Sequence, residues 1–272
     1  MKLRIIPHKR ANAGWNLALE EALFLKAKQD LLRGRKIQPI VKLYSFSNPS
    51  VVLGYMQKIS EINYDYCMQN NVDVTMRTTG GGSVYLGKND MQYSIITGLG
   101  YSKELLRRIN MSIINALQNV GFSPNLVIKD KHPIVRMNGK GFIFDAQRRF
   151  KNLILHHGTA LVDNSDYFHM PQALKASREE LNILQNGNIW LRQEAEIREK
   201  SLIKSFEKEL PEDMSVVRKD FTNSEIKLAK KLYKNFYTNF ESFRFGKKKF
   251  GICYLTSTPY DMELYAEEDK DV

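Results

Sequence analysis

The chain has 272 residues, of which 43% are hydrophobic and 11% aromatic, and it carries a formal net charge of +11. These values are typical of a globular protein and exclude a disordered one, and no apolar run reaches the roughly 18–20 residues that span a bilayer. The stretch from Met1 to Arg10 is basic but has no apolar core of a secretory signal, so we expect a cytoplasmic protein.

The predicted elements alternate between helices and short strands. In chain order they are a helix from Asn16 to Lys28, strands from Val41 to Tyr44 and Val51 to Gly54, a helix from Glu61 to Asn70, strands from Val72 to Met76 and Met91 to Thr97, a helix from Ser102 to Gly121, strands from Ile134 to Met137, Gly141 to Phe144 and Leu153 to Leu155, and a helix from Pro171 to Lys175. This order predicts an α+β fold with a mixed, mostly antiparallel sheet flanked by helices.

The C-terminal part of the chain has a different composition. The composition turns charged from Leu202 to Leu210, and a Pro-Glu-Asp sequence at 211–213 interrupts the chain. Ser224 is expected to cap a further helix, and the chain closes on an acidic tail. We therefore predict one domain over residues 1–200 and a small helical C-terminal appendage over 201–272.

The positive charge and the two cysteines bear on three possibilities: nucleic-acid binding, a disulfide framework and a metal site. The basic residues form short clusters, so nucleic-acid binding rests on charge alone, and a basic surface suits an acidic protein partner equally well. Cys67 and Cys253 are far apart, and neither has a second cysteine or paired histidines beside it. No disulfide framework and no metal site are predicted.

A run of three glycines is the strongest chemical signal in the sequence. Arg77 precedes it by three residues and Ser83 follows it, so the candidate binding residues are Arg77, Gly80, Gly81, Gly82 and Ser83. Consecutive glycines let the backbone approach a ligand and turn several N–H donors toward one point. Arg77 is expected to face a pocket and bind an anionic group. The alternative is an ordinary glycine-rich hairpin turn.

A second signal lies between residues 138 and 159. Asn138-Gly139 is typical of a tight hairpin turn, and the chain continues through Ala146 to Arg149 to the pair His156-His157. Adjacent residues of a strand point to opposite faces. One histidine is therefore expected to pack in the core, while the other is a candidate to hydrogen-bond a ligand.

Together these segments resemble the lipoate–protein ligase A family of the biotin/lipoate A/B protein ligase superfamily. Its members carry patterns close to RRxSGGGxVxHD, NGKKIxGSAQR and HHG; this chain has MRTTGGGSVYLG, NGKGFIFDAQRR and HHGT in the same order. WNLALEEAL and YSFSNPSVVLGYMQ are weaker similarities. The resemblance covers about residues 12–246.

The resemblance implies a fold like that of class II aminoacyl-tRNA synthetases and biotin ligases, and a two-step acyl transfer. ATP and lipoate, with Mg²⁺ as a further candidate, would give an acyl-adenylate, and the lipoyl or octanoyl group would pass to a lysine of a carrier domain. It also implies that Arg77, Gly80, Gly81, Gly82, Ser83 and His157 contact the adenylate or acyl group. Some relatives obtain their C-terminal part as a separate protein, so an accessory subunit is a candidate partner.

The chain departs from the family pattern at several positions. Met76 replaces an arginine, Leu86-Gly87 a His-Asp pair, Gly141 the catalytic lysine, and Phe144-Asp145 a Gly-Ser pair. Lys140 is the candidate catalytic residue only if the strand register slips by one. The alternative is a non-catalytic relative that binds a carrier domain or a small carboxylate. No cysteine lies between residues 67 and 253, so the cysteine-dependent octanoyl transfer of a related branch has no evident nucleophile.

Overall fold

A computed structural model gives the fold of the chain. It describes residues 2–98, 143–177 and 215–238, the backbone of 125–129, 132–137 and 140–141, and single positions at 111, 115, 118, 119 and 179. For residues 143, 144 and 216 it describes the backbone alone. The helix predicted from Ser102 to Gly121 lies outside these residues, apart from isolated positions.

The described elements include the predicted strands in their predicted order, together with four strands that the sequence did not predict, Lys2–Ala11, Val84–Leu86, Asn125–Lys129 and Ser215–Arg218. The strands are β1 (Lys2–Ala11), β2 (Ile40–Phe46), β3 (Ser50–Leu53), β4 (Asp73–Met76), β5 (Val84–Leu86), β6 (Met91–Thr97), β7 (Asn125–Lys129), β8 (His132–Met137), β9 (Lys140–Gly141), β10 (Ile143–Phe150), β11 (Leu153–Ala160) and β12 (Ser215–Arg218). The α-helices are α1 (Ala13–Leu32), α2 (Tyr64–Gln69), α3 (Met170–Ala173) and α4 (Asn223–Leu232).

A mixed sheet with the strand order β10-β11-β6-β2-β1-β12 forms the centre of the described fold. Its pairs β10–β11, β11–β6 and β6–β2 are antiparallel, whereas β2–β1 and β1–β12 are parallel. Two three-stranded sheets, β4-β3-β5 and β7-β8-β9, accompany it. The predicted α+β class with a mixed, mostly antiparallel sheet is therefore confirmed.

Helix α1 is buried along most of its length. Its Ala-, Leu- and Glu-rich sequence favours a helix, and the side chain of Asn12 accepts a hydrogen bond from the backbone N of Trp15 at 2.7 Å to cap its first turn. Apolar residues of α1 pack on the strands on one side and on α4 on the other. Because so little of the helix reaches solvent, its polar residues Glu20 and Glu21 lie inside the fold, each 2% exposed.

Residues 215–238 pack against the beginning of the chain. Strand β12 pairs in parallel with β1, and Arg4 of β1 donates to both carboxylate oxygens of Glu225 in α4, at 2.6 and 2.8 Å. Thr222, and not the predicted Ser224, caps α4: its hydroxyl accepts from the backbone N of Glu225, while the Glu225 carboxylate accepts from the backbone N of Thr222. This reciprocal pair satisfies two donors at the helix start, which a cap at Ser224 cannot do.

The predicted boundary at residue 200 falls among residues that are not described, and it stays a prediction. In the described part of the chain, none of the helices combines the length and the apolar character that crossing a membrane requires.

Candidate functional site

The site is built on one face of the central sheet, where cross-strand neighbours form two adjacent rows. Lys42, Ser94 and His157 are aligned across β2, β6 and β11, and we call them the anchored row. Tyr44, Gln92 and Thr159 are aligned in the same way two residues further along the strands, and we call them the open row. Since residues i and i+2 of a strand share a face, both rows point to the same side of the sheet.

Glu20 of α1 binds two members of the anchored row and also Tyr44, the open-row residue on β2. Its carboxylate accepts from His157 Nδ1 at 2.8 Å, from the Ser94 hydroxyl, and from the Tyr44 hydroxyl at 3.2 Å. A carboxylate only accepts, so Nδ1 of His157 carries a proton, and Nε2 forms a hydrogen bond with the Thr79 hydroxyl, 2.8 Å away. Both nitrogens of His157 are therefore engaged by the protein.

Charges in this cluster are strongly coupled. Burial alone would raise the pKa of Glu20, but attraction to His157, the hydrogen bond from His157, the charge of Lys42 and the Ser94 hydroxyl hold it below its ordinary value. Burial lowers the pKa of Lys42 to about 7, against the opposing effect of Glu20. The Lys42 ammonium donates to the backbone oxygen of Asn16 at 2.7 Å and lies 3.6 Å from the centre of the Tyr44 ring.

Glu21, the next residue of α1, forms a second buried pair. Arg148 Nη1 lies 2.8 Å from each of its carboxylate oxygens, and the Thr78 hydroxyl donates to it at 2.9 Å. Glu21 thus binds Thr78 directly, and Glu20 binds Thr79 indirectly, through His157. These two threonines form the root of the glycine loop, so helix α1 fixes where that loop begins.

The glycine loop connects β4 to β5 and passes over the end of β3, which lies between them. A Cβ on Gly54, just after β3, would lie 1.9 Å from the carbonyl oxygen of Gly81, so a side chain there would displace the loop. Gly81 itself has φ +97°, a conformation that favours glycine. The structure therefore places Gly80, Gly81 and Gly82 in an exposed, closely fitted loop.

Arg77 closes the loop from the inside. Its guanidinium donates to the backbone oxygens of Val52 at 3.1 Å and of Gly80 and Gly82, both at 2.8 Å. The residue is 7% exposed and lines the cavity described below. Burial lowers its pKa to about 10, against the charge of Glu20, so it stays a cation at neutral pH. The predicted binding of an anion by Arg77 stays a prediction; the contacts described here hold the loop.

A cavity of about 230 Å³ opens between the two rows, the glycine loop and α3. Its walls are mainly apolar, with contributions from Leu17, Phe46, Val52, Val84, Leu86, Leu161, Met170 and Leu174. Arg77, Ser83 and His157 from the predicted set reach it, together with Gln92 and Thr159 of the open row. A dry cavity of about 150 Å³ is enough for benzene, so this one can hold an apolar chain of more than six carbons.

The open row leaves one hydrogen-bond donor without a partner. Thr159 Oγ1 donates to the side-chain oxygen of Gln92, but Gln92 Nε2 has no hydrogen-bond partner among the described residues, although the residue is 3% exposed. A buried donor without a partner lowers the free energy of unfolding by about 1–3 kcal/mol.

Asp90 holds the part of the cavity wall that Tyr167 forms. Its carboxylate accepts from the Tyr167 hydroxyl at 2.6 Å and from the backbone N of Gly87 and Val162, both at 2.8 Å. Burial raises the pKa of Asp90 to about 7, although these hydrogen bonds favour the carboxylate. Tyr167 itself lines the cavity.

Two of the departures from the family pattern, Leu86 and Asp145, line the cavity. A third, Met76, is the last residue of β4. In the β8–β9 hairpin the backbone of Gly141 pairs with Arg136 and that of Lys140 with Met137. The side chains of Lys140 and Phe144 lie outside the described residues, so the role of Lys140 stays a prediction. The backbone at position 144 pairs with Thr159 and thereby extends the open row onto β10.

His156, the neighbour of His157, lies on the other face of β11. It is 2% exposed, and its Nε2 lies 3.4 Å from the Tyr93 hydroxyl. Burial, together with the nearby His157, lowers its pKa to about 3, so the ring is neutral at physiological pH. The two histidines thus separate as expected, one into the core and one to the cavity.

Cys67 lies away from the cavity. It is fully buried in α2, and burial raises the pKa of its thiol to about 11. A thiol with such a pKa is a weak nucleophile at neutral pH. Cys253 lies outside the described residues. No group of three or more His, Cys, Asp and Glu side chains suited to a metal ion occurs among the described residues.

Sequence reasoning missed Glu20, Glu21, Lys42 and Gln92. The two glutamates were visible only as helix-forming residues of an apolar helix. Lys42 lies within the apolar strand sequence IVKLYSF, and Gln92 within MQYSIIT. A polar residue inside a strand that is buried on both faces was the available signal.

Comparison with known proteins agrees with this geometry. The family model for the lipoyl protein ligase A/B catalytic domain matches residues 12–211. An octanoyltransferase LipM from Clostridioides difficile is 26% identical over 86% of this chain and 95% of its own length. Lipoate–protein ligase 1 from Staphylococcus aureus is 29% identical over 60% of this chain, but the match spans only 46% of that protein.

A solved structure extends the comparison to the fold. The bipartite lipoate protein ligase of Thermoplasma acidophilum, studied with its E2 lipoyl domain, superposes with a TM-score of 0.73 at 22% identity, covering 93% of this chain and 99% of that one. That likeness shows a common fold. With the family model matching about three quarters of the sequence, the chain belongs to the lipoyl protein ligase A/B catalytic-domain family.

Proposed function

We propose that this protein binds a lipoyl or octanoyl group in the cavity and attaches it to a lysine of a lipoyl carrier domain through an acyl-adenylate. The observation that carries the proposal is the cavity itself, which is apolar along its walls and bordered by Arg77 and the glycine loop. An acyl-adenylate has the matching character, since an apolar chain ends in a carbonyl beside an anionic phosphate.

The reaction would proceed in two steps. A carboxylate oxygen of the acid attacks the α-phosphorus of ATP, and pyrophosphate leaves. The carrier lysine then attacks the acyl carbonyl as a neutral amine, the amide forms, and AMP leaves while the amine loses a proton. Backbone N–H groups and fixed cations favour both steps because they stabilise charge that develops on oxygen.

The polar side chains described above have supporting parts in this scheme. Arg77 would keep the glycine loop in shape and contribute positive charge at its inner side. Glu20 would hold His157 in one orientation, and His157 would hold the root of the loop through Thr79.

An adenylate route is preferred to a cysteine route for a chemical reason. Transfer from an acyl carrier without ATP needs a nucleophile at the cavity, and Cys67 is buried in α2 and does not line it. Because the chain is similar to an octanoyltransferase, the experiment must distinguish the adenylate route from acyl transfer without ATP.

A second candidate is a non-catalytic relative that binds a carrier domain or a small carboxylate. Gly141 favours it, because it occupies the position where the family pattern has its lysine. Loss of one charge-stabilising group commonly lowers the rate by about 10²–10³.

The deciding experiment incubates the full chain with a lipoyl carrier domain and weighs the carrier by mass spectrometry. One reaction contains lipoate and magnesium-ATP, a second contains octanoyl-loaded carrier protein without ATP, and a third repeats the first with the carrier lysine replaced by arginine. We expect the lipoyl mass in the first reaction only.

Each other result has a distinct meaning. A mass gain in the second reaction alone would overturn the adenylate route in favour of direct transfer. A carrier that keeps its mass in every reaction, although the chain binds it, would favour the non-catalytic relative. Lipoylation that needs a separately added accessory subunit would support a partner protein.

A further inference from the structure

The open row contains a donor that the protein does not use. Gln92 lies on β6 with Tyr44 on one side and Thr159 on the other, and it lines the cavity. Its side-chain oxygen is occupied by Thr159, whereas Nε2 meets no acceptor among the described residues. Buried polar groups are nearly always paired, so a ligand in the cavity is the candidate partner of Nε2.

The chemistry of an acyl chain identifies that partner, on the basis of the function proposed above. The hydrocarbon part of an octanoyl or lipoyl group has no hydrogen-bond acceptor, and the two ring sulfurs of a lipoyl group accept only weakly. Its strong acceptors are the oxygens at the carboxyl end. We propose that Gln92 Nε2 donates to the acyl carbonyl oxygen and that Gln92 thereby fixes where the reacting end of the chain lies.

The surroundings of Gln92 support this assignment. The Thr159 hydroxyl donates to the amide oxygen of Gln92, and this hydrogen bond leaves Nε2 as the end of the amide that has no partner among the described residues. Thr159 belongs to β11, two residues after His157, and the open row is therefore one row away from the polar cluster at the loop root. The acyl oxygen would lie against the open row, and the chain would extend along the apolar walls.

A neutral donor at this place also bears on the reaction. When the carrier lysine attacks, negative charge grows on the acyl oxygen, and a donor aimed at that oxygen strengthens its hydrogen bond. Gln92 would thus act in a chain whose position 141 offers no cation.

Titration calorimetry with octanoate as the probe tests the proposal. Gln92→Leu and Gln92→Met remove the donor at similar volume, and Gln92→Glu keeps an acceptor while losing the donor. We expect binding of octanoate to weaken about 10- to 100-fold in the first two variants, as for loss of a hydrogen bond to a charged group, and more in Gln92→Glu because two carboxylates then meet. Gln147→Leu, the same change outside the cavity, serves as the control and should bind like the unmodified chain.

An infrared measurement gives a second, independent readout. The carboxyl end of bound octanoate labelled with ¹³C should absorb at a different frequency in the unmodified protein and in Gln92→Met, because the donor shifts charge toward the oxygen. Equal affinities and equal frequencies in all variants would overturn the role of Gln92 and leave the proposed function intact. Absence of octanoate and lipoate binding by the unmodified protein would overturn the proposed function, and the role of Gln92 with it.

Discussion

The two rows on the cavity face of the sheet are built from similar side chains, yet they are completed in opposite ways. In the anchored row, Ser94 and His157 are bound by the Glu20 carboxylate, and the Lys42 ammonium is bound by the backbone of α1. In the open row, Thr159 pairs with Gln92, but the donor of Gln92 is left over beside an apolar cavity.

This difference separates two tasks on one surface. A fully paired polar cluster in a buried place fixes geometry, because every change of orientation breaks several hydrogen bonds at once. A partly paired cluster costs stability unless a ligand completes it. The anchored row therefore serves the shape of the glycine loop, whereas the open row serves recognition. The experiments below test this difference and the loop and strands around the two rows.

The largest effect is expected from removing the carboxylate that completes the anchored row. Glu20→Ala leaves Lys42 without its nearby negative charge and His157 without its acceptor, and breaking a buried charge pair of this kind typically costs about 3–5 kcal/mol. Urea denaturation should report that loss in the free energy of unfolding. Asp30→Ala on the same helix is the matched control, since its ion pair with Arg35 is exposed and worth at most about 1 kcal/mol. Similar losses of unfolding free energy in both variants would show that Glu20 does not stabilise the anchored row.

Restoring the family lysine should have the next largest effect, now on the reaction. The double variant Gly141→Lys with Phe144→Gly returns a cation beside β10 and shortens the side chain at the position that extends the open row. We expect carrier lipoylation to become about 10²–10³-fold faster, which corresponds to about 2.7–4 kcal/mol of transition-state stabilisation. Single-turnover kinetics with lipoate, ATP and carrier domain would measure it.

Lys140→Ala in the same assay tests whether Lys140 replaces the family lysine that is missing at Gly141, or whether the chain has no such cation. We expect the substitution to change little, because the backbone register of β9 pairs Lys140 with Met137 without a slip. Complete loss of activity would show that Lys140 has taken over the catalytic role.

A smaller effect is expected where the loop crosses β3. Gly54→Ala forces a methyl group against the Gly81 carbonyl, and overpacking of this kind costs about 1–3 kcal/mol. Gly80→Ala has no atom within 4 Å of the new methyl group and is the control. Thermal unfolding compares the two, and calorimetry with lipoate shows whether the displaced loop weakens binding. A Gly54→Ala protein as stable as Gly80→Ala would mean that the loop does not pack on β3 as described.

The effect that is smallest at neutral pH concerns His156, on the face of β11 opposite His157. The folded protein holds the pKa of His156 at about 3, below the ordinary 6.5, so its unfolded form binds an extra proton between these values. Stability from this group is present above pH 6.5 and is lost as the pH falls toward 3. In His156→Phe the free energy of unfolding should fall less steeply as the pH is lowered, by up to about 1.4 kcal/mol per pH unit. Urea denaturation at several pH values measures this slope. His169→Phe serves as the control, and parallel curves for His156→Phe and the unmodified chain would contradict the assignment.

The sequence predicted the elements better than the polar network. Strand β6 has the predicted bounds, and the glycine run lies between strands beside a cavity, because local patterns specify both. The bond between Glu20 and His157 joins residues 137 positions apart, and nothing local marks either residue as its partner. The cap of α4 was predicted at Ser224 instead of Thr222 because serine and threonine are both good capping residues. Only Thr222 forms the reciprocal pair of hydrogen bonds with Glu225.

Pairing of β1 with β12 also has a consequence for how the chain is made. Arg4 and Glu225, which join these regions, are 221 positions apart in the sequence. A ribosome that adds about 5–20 residues per second needs roughly 10–40 s to make the partner of β1. During that time the outer edge of β1 has unpaired backbone groups, and such edges recruit other strands. Chaperone dependence during synthesis, rather than low stability of the finished protein, is therefore the expected weak point in its production.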